Sequence, residues 1–257
     1  MRLLVFVGSG VGNCIQTTPL IQALKRLGHI VDVGIMSHNR YAQEVFKGLC
    51  EVYFNDFQIE PKEYDWKIST FCSGGEWFKS KTNNSAKIRA FHKDSLDAKV
   101  IGEVEYNMEA ARQLGFNKET PELYFPEKQK VLGSTIFVNK VVKNGCKKLK
   151  DWGEDNWKSL LNKARFENLR VLNSINMTIL DLSKDLLKAK YVITAEGGFA
   201  WISLAMGIKT IIIAGETIKG QNYKNKNFYP NSNAVYIHEP NIQDVSVEHV
   251  LDIVNNT

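Results

Sequence analysis

At 257 residues and roughly 150 residues per domain, the chain is one large domain or two small ones. Hydrophobic residues at 44% and charged residues at 24% exclude a disordered, collagen-like or disulfide-stapled protein, and no apolar run approaches the roughly 20 residues that cross a bilayer. The balance of 33 Lys+Arg against 28 Asp+Glu gives a net charge of +5, suited to phosphorylated ligands, a membrane surface or nucleic acid, while Cys14, Cys50, Cys72 and Cys146 form no CxxC pair and fit a reducing cytosol.

Short runs of β-branched and aromatic residues alternate with amphipathic stretches. Residues 3–7 read as a buried first strand; Leu20, Ile21, Leu24 and Leu27 then have helical spacing that ends at Gly28, a residue suited to the left-handed step after a helix. A strand over 29–36, a helix around Tyr41, Val45 and Phe46, and strands over 52–54 and 66–71 follow. A helix over 103–114 closes at Gly115, and after Pro121 and Pro126 the polar residues 127–130 read as a linker. Alternation restarts with strand 134–139, helix 155–164, strand 169–172, helix 178–188, strand 191–194, helix 199–206, strand 209–214 and a last helix over 247–254. This order predicts an α/β fold of two Rossmann-like domains, 1–127 and 128–257. They are expected to face each other across a cleft at the carboxyl ends of their parallel strands, where such sheets bind ligands.

Two segments fall at such strand ends. In the first, Gly8, Gly10 and Gly12 follow the first strand, allow close backbone approach and expose a helix N-terminus to an anion or hydroxyl. A dinucleotide fingerprint would need glycine where Asn13 stands, Asp32 falls in mid-strand rather than at a strand end, and no GK[ST] follows for a phosphate loop. In the second, Thr194 leads into Glu196, Gly197 and Gly198 ahead of a helix, which bares an N-terminus to phosphate beside a carboxylate. Each segment is also compatible with a plain strand-to-helix turn.

Taken in order, these residues resemble the heptosyltransferase-like glycosyltransferases of family 9, which have the GT-B fold. A strand followed by Gly10, Gly12, Asn13, Thr17 and Pro19 resembles the start of that family. Lys150, Asp151 and Trp152 followed by Glu154 and Trp157 resemble its K-x-W-P-x-E-x-W/F stretch, Glu196 to Gly198 its D-S-G-x-x-H motif, and Gly207 to Gly215 the strand that closes that motif. The resemblance implies an N-terminal acceptor-side domain with Gly10, Gly12, Asn13 and Thr17 at the substrate. It also implies a C-terminal domain that binds a nucleotide sugar through Lys150, Glu196, Gly197 and Gly198. Asn13 replaces the family's aspartate base, Gly197 and Trp201 replace its serine and histidine, and strand 169–172 leaves no room before Thr178 for an extra helix and strand.

An inverting transfer needs a base near the acceptor, a cradle for the leaving diphosphate and a dry site. Lys150 and the helix start at Gly197 supply the cradle without metal; the chain has no DxD motif, and its histidines show no ligand spacing. Asn13, Lys150 and Glu76 are the catalytic candidates, Glu76 as an alternative base with His92 behind it. Lys79, Lys81, Lys87, Arg89, Lys93 and Lys99, together with five lysines over 140–150, form a solvated face or attract a polyanionic acceptor such as lipopolysaccharide core or DNA. The expectation is therefore a cytoplasmic glycosyltransferase, free or at the inner membrane surface. It needs no cofactor beyond its nucleotide-sugar co-substrate, and its acceptor is a cell-envelope glycan or a phage DNA base. A catalytically inactive nucleotide- or glycan-binding relative is the alternative, and a Rossmann oxidoreductase the third.

Overall fold

In the computed structural model, which describes residues 1–8, 10–54, 64–70, 87–90 (backbone alone), 102–140, 150–164, 166, 168–174, 177–215 and 233–256, every paired strand runs parallel to its neighbours. The strands form two five-stranded sheets, and the chain divides into two compact units, Met1–Pro126 and Glu127–Thr257.

The first sheet has the order β3-β2-β1-β4-β5, with β1 (Arg2–Phe6), β2 (Ile30–Ile35), β3 (Glu51–Phe54), β4 (Trp66–Ser69) and β5 (Lys87–Ala90). As the central strand β1 is covered on both faces, which explains its unbroken apolar run and the complete burial of Leu3, Leu4 and Val5. Helix α1 (Val11–Arg26) packs on α2 (Glu103–Gln113). It accommodates Pro19 in its interior because the hydroxyl of Thr18 donates to the Ile15 carbonyl (2.7 Å), the acceptor that Pro19, lacking an N–H, leaves unused. The same hydroxyl accepts from the Tyr124 N–H (2.9 Å), tying the end of the first unit to α1. The segment expected as an ordinary helix around Tyr41 is a 3-10 helix over Ser37–Phe46, kinked at Asn39.

The second sheet has the order β10-β9-β8-β6-β7, built from β6 (Thr135–Asn139), β7 (Leu169–Leu172), β8 (Ala189–Ala195), β9 (Thr210–Ala214) and β10 (Ala234–His238). Its helices are α3 (Glu154–Lys163), α4 (Ile179–Leu186), α5 (Gly198–Ala205) and α6 (Val247–Asn255). Trp152 and Trp157 anchor the core edge to edge, ring centres 4.8 Å apart, and the Trp152 indole donates to the Val245 carbonyl (2.7 Å). Strands β5 and β10 were not expected from the sequence.

Both sheets reverse direction once. In the first, the chain moves outward from β1 through β3 and returns beside β1 as β4; in the second, it leaves β6 for β7 and returns on the other side of β6 as β8. Each reversal opens a crevice at the carboxyl ends of two adjacent strands, the place where open α/β sheets bind ligands.

Candidate active site

In the first unit, β1 runs into the glycine turn at the crevice. Gly10 caps α1 at φ 104°, in the left-handed region that glycine adopts without strain, and a Cβ there would meet nothing within 4 Å. The half-buried Asn13 lies in the first turn of α1. Its carbonyl accepts from the Thr17 hydroxyl (2.8 Å), and Thr17, expected at the substrate, is fully buried. Gly12 precedes Asn13 in the same turn. The carboxyl edge of this sheet carries further buried polar side chains that sequence reasoning missed. Thr70 donates to the Phe6 carbonyl (2.7 Å). Asn39, just past β2, accepts from the Tyr41 hydroxyl (3.2 Å), while its buried Nδ2 has no hydrogen-bond partner among the described residues. Burial pushes the Cys14 thiol up to about 12, which makes Cys14 a packing residue rather than a nucleophile. Asp32, the acid a dinucleotide fold would need at a strand end, sits in the middle of β2. There it accepts from the Arg2 guanidinium (3.0 Å) and the Tyr64 hydroxyl (3.0 Å).

In the second unit, Glu196 follows β8 with only 8% exposure, and the Lys150 ammonium pairs with its carboxylate. Two residues expected from separate motifs thus form one ion pair at the β6–β8 crevice. Lys150 is positioned by its neighbours: Trp152 pins the segment into the core, and the Asp151 carboxylate accepts from the Gly153 N–H (3.0 Å). Gly197 caps α5 at φ 157°, and a Cβ there would meet nothing within 4 Å. Behind the pair, the buried Asn139 side chain at the end of β6 donates to the Thr194 hydroxyl (3.3 Å). Asn139 was overlooked in the sequence, although a polar residue closing an apolar strand at a reversal point is the available signal.

The helix N-termini separate these two sites from the others. Among the six α-helices of the described residues, α2 and α3 carry acids in their first turn, and Thr178 and Ser246 cap α4 and α6. Only α1 and α5 have neither a side-chain cap nor an acid in the first turn. Among the described residues their partial positive charge therefore has no side-chain cap and can meet an external group, and they are the helices that follow β1 and β8. A cation, a bare helix N-terminus and an open glycine at one strand end can take a diphosphate. Among the described residues no three His, Cys, Asp or Glu side chains gather as a metal site. Glu76 and His92 lie outside the described residues, as do 141–149 of the basic stretch.

At the level of sequence no family model and no curated protein matches the chain. At the level of structure, the two Rossmann-like units define the GT-B fold of glycosyltransferases. Escherichia coli heptosyltransferase WaaC with ADP is similar at a TM-score of 0.72 and 15% identity, over 100% of this chain and 99% of that one. The family 9 glycosyl transferase of Veillonella parvula matches at 0.72 and 11%, over 99% and 96%. Escherichia coli ADP-heptose lipopolysaccharide heptosyltransferase II matches at 0.69 and 15%, over 100% and 98%. At such identities the shared property is the fold.

Proposed function

We propose that this chain is a glycosyltransferase moving a sugar from a nucleotide-diphosphate-sugar donor to an anionic acceptor, without metal and with inversion. The observation that carries this is the Lys150–Glu196 pair at the bare N-terminus of α5, within a fold shared with heptosyltransferases. In this reading, domain 128–257 holds the donor. The Lys150 ammonium and the N–H groups at Gly197 and Gly198 meet the diphosphate and stabilise the charge that grows on it as the bond to the anomeric carbon breaks. Domain 1–127 holds the acceptor, with Gly10 and Gly12 allowing its approach and the Asn13 amide orienting the attacking hydroxyl. That hydroxyl forms the new C–O bond from the face opposite the leaving group, and its proton passes to a base or to water, since an amide does not take it. Glu76 is the candidate base in the chain.

The acceptor is lipopolysaccharide core or a related envelope glycan, with a phage DNA base as the other anionic candidate; the heptosyltransferase II match puts ADP-sugars and lipopolysaccharide first in order of testing. Asn13 favours one further reading, a relative that binds nucleotide or glycan without turnover. A thermal-shift panel of ADP, UDP, GDP and CMP with their sugars identifies the nucleotide, because a ligand bound only by the native state raises its stability. Release of free nucleotide in the presence of acceptor then separates enzyme from binder. A chain stabilised by none of these ligands would overturn the transferase and the nucleotide-binding readings.

A further inference from the structure

A second feature lies at the other end of the second sheet. Residues 127–135 run past the C-terminal turn of α4 and are held there at residues 127, 129, 133 and 135. The Ser183 hydroxyl donates to Glu127 (2.7 Å), and the Gln129 amide donates to the carbonyls of Leu187 (3.2 Å) and Ala189 (2.6 Å). The N–H groups of Gly133 and Thr135 donate to Ala189 (3.0 Å) and Lys188 (3.1 Å). Gly133 lies so close to the Lys188 backbone that a Cβ would overlap it. This fixed turn holds Val131 and Leu132 outward at 78% and 69% exposure, the two most exposed large apolar side chains among the described residues. Leu187, which closes α4 and whose carbonyl accepts from Gln129, is 39% exposed, and Leu180, two helical turns earlier, is 40% exposed.

The same two segments carry exposed Lys128, Lys130, Lys184, Lys188 and Lys190 against Glu127, Asp181 and Asp185, with Lys184 paired to Asp181 and Lys188 to Asp185 (3.6 Å each); five cations less three anions leave +2. We infer that this edge docks on the surface of an anionic lipid bilayer. Val131 and Leu132 enter the boundary between headgroups and acyl chains while the lysines meet lipid phosphates. The backbone bonds have already ordered the turn, so little conformational freedom is lost on insertion. A second copy of the chain is the poorer occupant, since self-apposition would bring two positive rims together. The patch adjoins the amino ends of β6 and β8, whereas Glu196 follows the carboxyl end of β8. The seven-residue strand separates them by about 20 Å, so the inference does not depend on the proposed activity.

Flotation of the full chain with phosphatidylcholine vesicles, with and without about one third phosphatidylglycerol, tests it, at low salt and at about 0.5 M salt. Binding is expected to the anionic vesicles only and to fall with salt. Val131→Ser with Leu132→Ser should weaken it by about tenfold or more, and Lys128→Gln with Lys130→Gln by several-fold with a shallower salt dependence. Both double variants should keep the parent's unfolding midpoint and nucleotide shift, because the replaced side chains are exposed. A parent that binds neither vesicle, a serine variant that floats as well as the parent, or a dimer that the serine variant converts to monomer would each overturn membrane docking.

Discussion

Replacing Lys150 by alanine puts the proposed diphosphate cradle to a quantitative test. The substitution removes a charge-assisted hydrogen bond worth roughly 1.5–3 kcal/mol. It also strips the partner from Glu196, whose carboxylate is almost fully enclosed, and so turns a neutral pair into an anion facing the diphosphate. Two like charges about 6 Å apart at an effective dielectric of about 20 repel by about 3 kcal/mol. The Lys150 side chain is 24% exposed, and with solvent screening about half of that repulsion survives. Together the two effects amount to about 3–4 kcal/mol, a few hundredfold in Kd, on the nucleoside diphosphate and almost nothing on its parent nucleoside. Glu196→Gln in the Lys150→Ala background removes the repulsion and should recover about tenfold, while Glu196→Gln alone removes a carboxylate charge that competes with the diphosphate for the ammonium and should bind diphosphate at least as well as the parent. Calorimetry with both ligands on the three variants, with urea midpoints as the folding control, measures this. Equal loss for nucleoside and diphosphate, or no recovery in the double variant, would refute the assignment.

Four other outcomes are expected. Asn13→Ala should lower turnover, and Asn13→Asp should keep or raise it, by as much as the 10²- to 10⁴-fold that general-base assistance typically contributes; a substantial loss in Asn13→Asp with donor binding intact would mean that the amide hydrogen itself is required. Turnover should persist in EDTA, and loss restored by Mg²⁺ would end the metal-free mechanism. Gly197→Ala forces a side chain into φ 157°, costs about 1–3 kcal/mol and puts a methyl group in the open space where the diphosphate is proposed to approach, so diphosphate affinity should drop about tenfold or more; an unchanged affinity would place the diphosphate elsewhere. Asp32→Asn breaks the Arg2 pair and should lower the unfolding midpoint without touching nucleotide binding, whereas an NAD-dependent thermal shift lost in that variant would revive the oxidoreductase reading.

Buried strands were the readily legible part of this fold, because a strand covered on both faces must be apolar throughout, as residues 3–7 and 211–214 are. Strand β10 escaped because Ala234–His238 places Tyr236 and His238 in a short run behind an Asn- and Lys-rich stretch, and β5 because KIRA alternates charge with apolar residues over only four positions. The 3-10 character of Ser37–Phe46 depends on a kink at Asn39 that helical spacing does not encode. At the candidate site, the glycine turns and Glu196 could be found from their positions at strand ends. The pairing of Lys150 with Glu196 could not, since the two residues, 46 positions apart in the chain, are brought together only by β6–β8 adjacency and by Trp152 in the core. The Thr18 hydroxyl that accommodates Pro19 was likewise invisible, its partner being a backbone carbonyl.

The two strand orders bear on how the chain folds as it leaves the ribosome. In the first sheet β2 and β3 add in turn to one side of β1, and β4 and β5 to the other; in the second, β7 joins one side of β6, and β8, β9 and β10 extend the opposite side one after another. Among the described residues every strand therefore arrives at an open margin in the order of its synthesis, and none has to be threaded between two that are already paired. Parallel pairing across long connections is slow, and unpaired margins invite aggregation while it proceeds. Sequential growth keeps only the current outermost strands unpaired at any moment, and Met1–Pro126 contains all the strands of its own sheet before the first strand of the second emerges.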